Sequence, residues 1–124
     1  MPIYEALRIN PNYEEAPSNL GNTFFLQGKY EEATIHLTEA LRIDRNLAKA
    51  HHPLGLIFLK QGKYQEAIPH FNEVVRIDPN YSKAHCSLAN AYLMIGDRGL
   101  AQKEFEIFKK MDPDLANALY RKIK

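Results

Sequence analysis

The sequence predicts an all-α fold of stacked antiparallel helix pairs, and three observations support this prediction. Three segments align without a gap when shifted by 34 residues, so that Leu20-Gly21 recurs as Leu54-Gly55 and Gly28-Lys29-Tyr30 recurs as Gly62-Lys63-Tyr64. Within each segment, apolar residues fall at helical spacing. No alternation of apolar and polar residues competes with this pattern. A repeat of this length is typical of solenoids, whose units bury their apolar faces only against their neighbours.

Each repeated segment is predicted to form two helices. In the first segment, Leu20 and Phe24 belong to one apolar stripe, while Ala33 and Leu37 belong to a second. Gly28 between the stripes suits the left-handed conformation that often ends a helix. The second helices of the first two segments begin with the acidic residues Glu31, Glu32 and Glu66, and the second helices end with basic residues, as the helix dipole favours. The predicted helices are residues 14–27, 30–43, 48–61, 64–77, 82–95, 98–111 and 115–123.

The repeated pattern resembles the tetratricopeptide repeat. It is clearest in the second segment, which contains His51-x-x-Leu54-Gly55-x-x-Phe58, Ala67-x-x-x-Phe71 and Pro79. The chain departs from the family pattern at two kinds of position. Arg45 replaces the first closing proline, and the usual tryptophan is replaced by Pro17, His51 and His85. The resemblance implies a right-handed superhelical α-solenoid that binds other proteins.

The same resemblance divides the chain into repeat units. Leu7-Arg8-Ile9-Asn10-Pro11 matches the string that closes each complete unit, so the chain is expected to open inside a second helix whose first helix is missing. Leu115, Leu119 and Ile123 form one apolar stripe on a polar helix, which we expect to cap the stack. The predicted units are a remnant of a preceding repeat at 1–13, three repeats at 14–47, 48–81 and 82–113, and a capping helix at 114–124.

Composition argues against several classes of function. Sixteen basic and fifteen acidic side chains give a net charge of +1, which offers no strong field for nucleic acid or an anionic membrane. No apolar run is long enough to span a bilayer. A single cysteine and the lack of a visible signal peptide favour a cytoplasmic protein. We therefore expect a protein or peptide partner, with neither nucleic acid nor membrane.

The sequence contains no recognisable catalytic motif. Phosphate-binding glycine loops, nucleophile elbows and zinc-binding His-Glu-x-x-His helices are all missing, so we expect neither enzyme activity nor a cofactor. The best metal candidate is a pair of dipeptides one repeat apart, His51-His52 and His85-Cys86. The alternative is that His51 and His85 pack in the place of the tryptophan while His52 and Cys86 line a groove, and we expect no structural metal. His36 and His70 are expected at the surface.

Peptide binding is predicted on the groove that the first helices line in this family. The predicted binding residues are Glu15, Ser18, Asn22, Lys49, His52, Leu56, Lys83, Cys86 and Asn90. Amides there could bond a peptide backbone while apolar groups receive its side chains. Alternatively, Leu56 packs between helices, and Asn22 and Asn90 are merely solvated.

The resemblance also bears on the kind of partner. Chaperone-binding relatives hold the terminal carboxylates of a partner with five side chains: lysine, asparagine, asparagine, lysine and arginine. Only Asn22 and Lys83 match this set, because the other three places hold Ser18, Pro53 and Ser87. A chaperone peptide is therefore not the expected ligand. The alternative roles are a self-associating section of a longer scaffold, with a weak homodimer through the open N-terminal edge, or a regulatory arm of a larger protein.

Overall fold

The computed structural model describes the backbone of residues 15–123 and the side chains of residues 17–119. In this range the chain forms only helices: α1 Glu15–Leu26, α2 Tyr30–Ile43, α3 Ala48–Lys60, α4 Tyr64–Ile77, α5 Ser82–Met94, α6 Arg98–Met111 and α7 Pro113–Ile123. The predicted all-α fold is confirmed, and for six of the seven predicted helices both the first and the last residue lie within one residue of the observed bounds. The predicted remnant helix at 1–13 lies outside the described residues, and the division into repeat units stays a prediction.

The last helix begins two residues earlier than predicted. Asp112 directly follows the last residue of α6, and its carboxylate accepts a hydrogen bond from the backbone amide of Leu115 at 3.2 Å. Pro113 fits the first position of a helix because that position needs no amide hydrogen bond. Asp112 is therefore the single residue between α6 and α7, and Pro113 is the first residue of α7.

Three glycine turns close the antiparallel pairs α1–α2, α3–α4 and α5–α6. Gly28, Gly62 and Gly96 have φ of 77°, 76° and 86°, in the left-handed region that glycine adopts at little cost. In the first of these turns, the amide of Lys29 donates to the carbonyl of Phe24 at 2.9 Å, which satisfies an otherwise unpaired helix-end group. The turns thereby set each pair antiparallel.

The core runs along the stack, between one pair and the next. α3 packs on both α1 and α2, and α5 packs on both α3 and α4. Leu54 of α3 belongs to a buried cluster with Ala33 and Leu37 of α2, while Leu88 of α5 belongs to a second cluster with Ala67 and Phe71 of α4. In the described part of the chain, α7 contacts α6 but not α5. The predicted cap therefore covers only half of the last pair.

Close helix packing predicts a specific effect at Gly55. A Cβ added there would lie 2.5 Å from Cε1 of Phe71, whose ring is fully buried. We expect Gly55→Ala to destabilise the protein by about 1–3 kcal/mol despite the higher helix propensity of alanine. The change is measured as the free energy of unfolding in urea.

Gly99 supplies the matched control, because it also lies in a helix but has open space around it. The nearest atom to an added Cβ is Oδ1 of Asp97, at 3.8 Å. Gly99→Ala should therefore stabilise the chain by up to about 1 kcal/mol. The close-packing argument fails if both substitutions change stability in the same direction.

Candidate functional site

The predicted groove residues lie on the first helices of the three pairs. α1 contacts α3, and α3 contacts α5, so these helices lie side by side. Lys49, Lys83 and Asn90 are exposed on them, while Asn22, His52, Leu56 and Cys86 are half-buried. We call the surface formed by these seven residues the inner face. It mixes amides, lysines and apolar groups, the chemistry expected of a peptide-binding surface.

The inner face leaves out two of the nine predicted residues, Ser18 and Glu15. The side chain of Ser18 is fully buried, so its hydroxyl cannot meet a ligand, and that prediction is wrong. The position faces the boundary between neighbouring helices: His52 and Cys86, its counterparts in the next units, are half-buried. Glu15 begins α1, and its side chain lies outside the described part.

Asn22 joins two first helices. Its Nδ2 donates to the carbonyl of Lys49 in α3 and to the carbonyl of Ser18 in its own helix, both at 3.1 Å. The amide nitrogen is thus used in packing, which leaves the side-chain oxygen to meet a ligand. Asn90, by contrast, is exposed. The two asparagines of the inner face therefore differ in how much of their hydrogen-bonding capacity remains.

His52 occupies the centre of the inner face as a neutral group. Its ring lies 5.6 Å from that of Phe71 and 5.1 Å from that of Tyr81, and Nε2 is 3.4 Å from Oγ of Ser87. Burial, together with the nearby charge of Lys83, lowers the pKa of His52 to about 4. The imidazole is therefore uncharged near neutral pH. The ring nitrogens of His52 can form hydrogen bonds, whereas the positive charge beside them belongs to Lys83.

The remaining histidines pack between the helices of each pair. His51 and His85 are buried, as expected for residues in the tryptophan position. His51 donates from Nε2 to the carbonyl of Arg45 at 2.8 Å, and its Nδ1 lies 3.1 Å from Nδ1 of His70. Nδ1 of His85 lies 2.7 Å from Oε2 of Glu104. In both pairs the second residue lies 19 positions after the histidine in the chain, a relation that the sequence pattern did not reveal.

The surface location predicted for His36 and His70 is wrong. Both are half-buried and stack on an aromatic ring of the first helix, with ring centroids 5.3 Å apart for His36 and Phe24 and 5.5 Å apart for His70 and Phe58. Burial is the main cause of a lowered pKa at His70, and a proton on His51 would lower it further. Among the side chains that the structure describes, no group of three His, Cys, Asp or Glu residues is arranged to hold a metal, and this includes the histidine–cysteine candidate.

An apolar cavity of about 470 Å³ lies at the C-terminal end of the inner face. It lies between α5, α6 and α7, and its lining includes Cys86, Asn90, Leu93, Phe105 and Leu119. Burial raises the pKa of the Cys86 thiol, which therefore remains protonated. The sequence pattern predicts Leu119 in the capping helix and does not single out Phe105, so the cavity is a finding of the structure.

A second cavity, of about 510 Å³, is less suited to a ligand. Arg42, Arg45 and Arg76 line it. However, Arg42 is paired with Glu39, and Arg76 with Glu73, so that most of the guanidinium charge is already balanced. The inner face and its cavity are therefore the better candidate site. None of the described helices is long and apolar enough to cross a membrane.

Comparisons with known proteins agree with this architecture. A family model of the TPR repeat matches residues 21–62 and 55–96. The second TPR of Spaghetti (RPAP3) bound to HSP90 peptide SRMEEVD is 28% identical, with a TM-score of 0.75 over 79% of this chain and 91% of that chain. The second TPR domain of human RPAP3 in complex with HSP70 peptide SGPTIEEVD is also 28% identical, with a TM-score of 0.79 over 92% of this chain and 98% of that chain.

A crystal structure of MamA has the same fold at 23% identity, with a TM-score of 0.77 over 90% of this chain and 65% of that chain. A search of curated protein sequences gives no significant match. The two stretches that the family model matches together span residues 21–96, more than half of the sequence. The chain therefore belongs to the TPR family.

Proposed function

We propose that this chain is a protein–protein interaction module that binds a peptide or protein segment on the inner face. The observation that carries the proposal is the continuity of this face, which crosses three adjoining helices and ends in an apolar cavity. Related TPR domains of RPAP3, 28% identical, are solved with HSP90 and HSP70 peptides. Exposed asparagine and lysine groups would bond a bound segment, and the cavity would receive one of its apolar side chains.

The chemistry of the site argues against a chaperone C-terminal peptide as the ligand. Of the five carboxylate-holding positions of chaperone-binding relatives, only Asn22 and Lys83 match, and the amide nitrogen of Asn22 is already used. Ser18 and Pro53, at two of the other positions, are buried. Without arginine at the fifth position, no bidentate pair with a carboxylate can form. We therefore propose that the ligand is an internal segment of a partner.

The charge of the inner face gives a test. Lys49 and Lys83 are its charged members, and Arg98 lines the adjoining cavity, so acidic segments should bind best. Random twelve-residue peptides displayed on phage are selected against the intact chain, and the affinities of the selected peptides are measured by fluorescence anisotropy. The Lys49→Glu/Lys83→Glu double variant should lose at least about tenfold in affinity.

The control variant is Lys63→Glu/Lys103→Glu, which reverses two exposed charges on the turn before α4 and on α6, away from the inner face. It should bind the selected peptides as the unmodified chain does. Urea unfolding of both variants checks that the fold is retained. Equal affinity of both double variants would contradict binding on the inner face. Tight binding of the SRMEEVD peptide itself would contradict only the choice of ligand.

A further inference from the structure

We propose that the segment bound on the inner face is an amphipathic α-helix of a partner protein, with acidic side chains along one side and apolar side chains along the neighbouring side. This proposal rests on the proposed function and names the kind of ligand for the same surface. The bound helix lies across α3 and α5. Its acidic side contacts the lysines, and its apolar side contacts the C-terminal ends of these two helices.

Lys49 and Lys83 form one end of the inner face, which we call the lysine end. Each is the second residue of its helix, and α3 and α5 lie side by side in the same direction because short connections reverse the chain before and after α4. Neither helix has an acidic residue in its first turn, although the helix dipole favours one there and α2 and α4 each have at least one. The lysine end is therefore suited to acidic side chains of a ligand.

Apolar side chains lie at the opposite end of the same surface. Leu59, Leu93 and Met94 follow the inner-face residues Leu56 and Asn90 by three or four positions, so helical spacing keeps them on the same side. Leu93 and Met94 are 55% and 53% exposed, and Leu59 is half-buried. We call these three residues the apolar end. Exposed apolar side chains that adjoin a polar surface are typical of an interaction site.

The residues between the two ends favour a helical ligand over an extended one. Asn22, Leu56 and Asn90 occupy the same position of successive units. An extended ligand needs partners for its backbone N–H and C=O groups, and asparagine is suited to them because its amide both donates and accepts. However, Leu56 forms no side-chain hydrogen bond, and the amide nitrogen of Asn22 is already used within the stack. A helix bonds its own backbone, so side-chain contacts alone can hold it.

The dimensions of the surface also fit a helix. Lys83 and Leu93 are ten positions apart on α5, which corresponds to about 15 Å along its axis. A helix with its side chains is about 10–12 Å wide, and the long lysine side chain covers much of the remaining distance. A ligand helix can therefore contact both ends at once. Acidic and apolar residues that are neighbours in its sequence, each recurring every three or four positions, form the two sides required.

The experiment compares three synthetic probes of about fifteen residues on the full chain. The helical probe has glutamate next to leucine, each recurring every three or four positions, with alanine elsewhere and a side-chain lactam bridge that holds the helix. The second probe has a central proline, which breaks the helix. The third arranges the same residues in the alternation of an extended chain. By fluorescence anisotropy, the helical probe should bind at least about tenfold more tightly than either of the others. Equal or weaker binding of the helical probe would overturn the proposal.

Two single charge reversals test where the acidic side of the ligand lies. Lys83→Glu changes the lysine end, whereas Lys60→Glu changes the last residue of α3, beside the apolar end, and both residues are exposed. Lys83→Glu should weaken binding of the helical probe at least about tenfold, and Lys60→Glu should weaken it much less. Equal losses would contradict the placement of the acidic side at the lysine end.

Leu56→Asn tests the conformation of the ligand, because it completes a row of three asparagines. It should weaken binding of the helical probe and strengthen binding of the alternating probe. Ile35→Asn makes the same kind of change at a residue of α2 that is 66% exposed, and it should bind both probes as the unmodified chain does. Urea unfolding checks that each variant retains the fold. If phage-selected peptides bind the inner face but tolerate a central proline, this proposal fails and the proposed function stands; if no peptide binds, both fail.

Discussion

Replacing Phe71 with alanine should lower the free energy of unfolding by about 3–5 kcal/mol. The ring is fully buried, packs with Ala67 and Leu88, and touches the site of Gly55 so closely that no Cβ fits there. Its removal leaves a cavity at the contact between the second and third pairs. A loss of this size is a large part of the stability of a small domain. Urea unfolding followed by circular dichroism measures it.

Phe105→Ala is the matched control, because the same residue type stands at the same position of the next unit. Phe105 is only half-buried and already faces an open cavity, so the expected loss is clearly smaller than for Phe71. Stacked repeats can unfold in more than one step, and both variants should therefore be compared by the midpoint and the slope of the transition. Equal losses would mean that the third pair is packed as tightly as the second.

Acidification should destabilise the protein at pH values where most carboxylates are still ionised. Burial and Lys83 lower the pKa of His52 from 6.5 to about 4, so the folded chain takes up this proton less readily than the unfolded chain. Above the unfolded pKa of 6.5, His52 is neutral in both states and does not lower the free energy of unfolding. As the pH falls from 6.5 towards 4, the unfolded chain binds this proton more readily than the folded chain, and the free energy of unfolding decreases. Between about pH 7.5 and pH 5 the loss from His52 alone should be about 2 kcal/mol. His70, whose pKa is lowered chiefly by burial, acts in the same direction.

The His52→Gln variant isolates this contribution, because glutamine retains hydrogen bonding but does not titrate. Urea unfolding at the two pH values should show a markedly smaller difference for the variant than for the unmodified chain. His70, whose pKa is also lowered, should contribute to the difference that remains. An unchanged pH dependence would show that His52 is protonated equally well in the folded and unfolded states.

The helices could be predicted because local signals repeat along the chain. Glycines 34 residues apart mark the turns, and apolar stripes such as Ala33 with Leu37 mark the buried faces. The start of α7 was misplaced because Pro113, which resembles the family's closing proline, also serves as a first helical residue. Local sequence therefore predicts the helices better than it predicts the junction between the last two.

The site could be predicted only in outline. Helical spacing identifies which residues of α3 and α5 share a face, and Lys49 and Lys83 lie there as expected. Burial depends on the neighbouring helix, which spacing alone does not specify, and this explains the error at Ser18. The pairs His51–His70 and His85–Glu104 join different helices, so they follow from the alignment of two helices instead of the pattern within one.

The three glycine turns also bear on how such a chain can change in evolution. Gly28, Gly62 and Gly96 are 34 residues apart and have nearly the same backbone angle, and an added Cβ at any of them would meet nothing within 4 Å. No packed neighbour therefore restricts these three glycine positions. Recombination between two such turns would add or remove one whole helix pair and rejoin the chain at an identical turn. The number of pairs can change in this way without a new connection, while the contact between the newly adjacent pairs must still be improved by substitution.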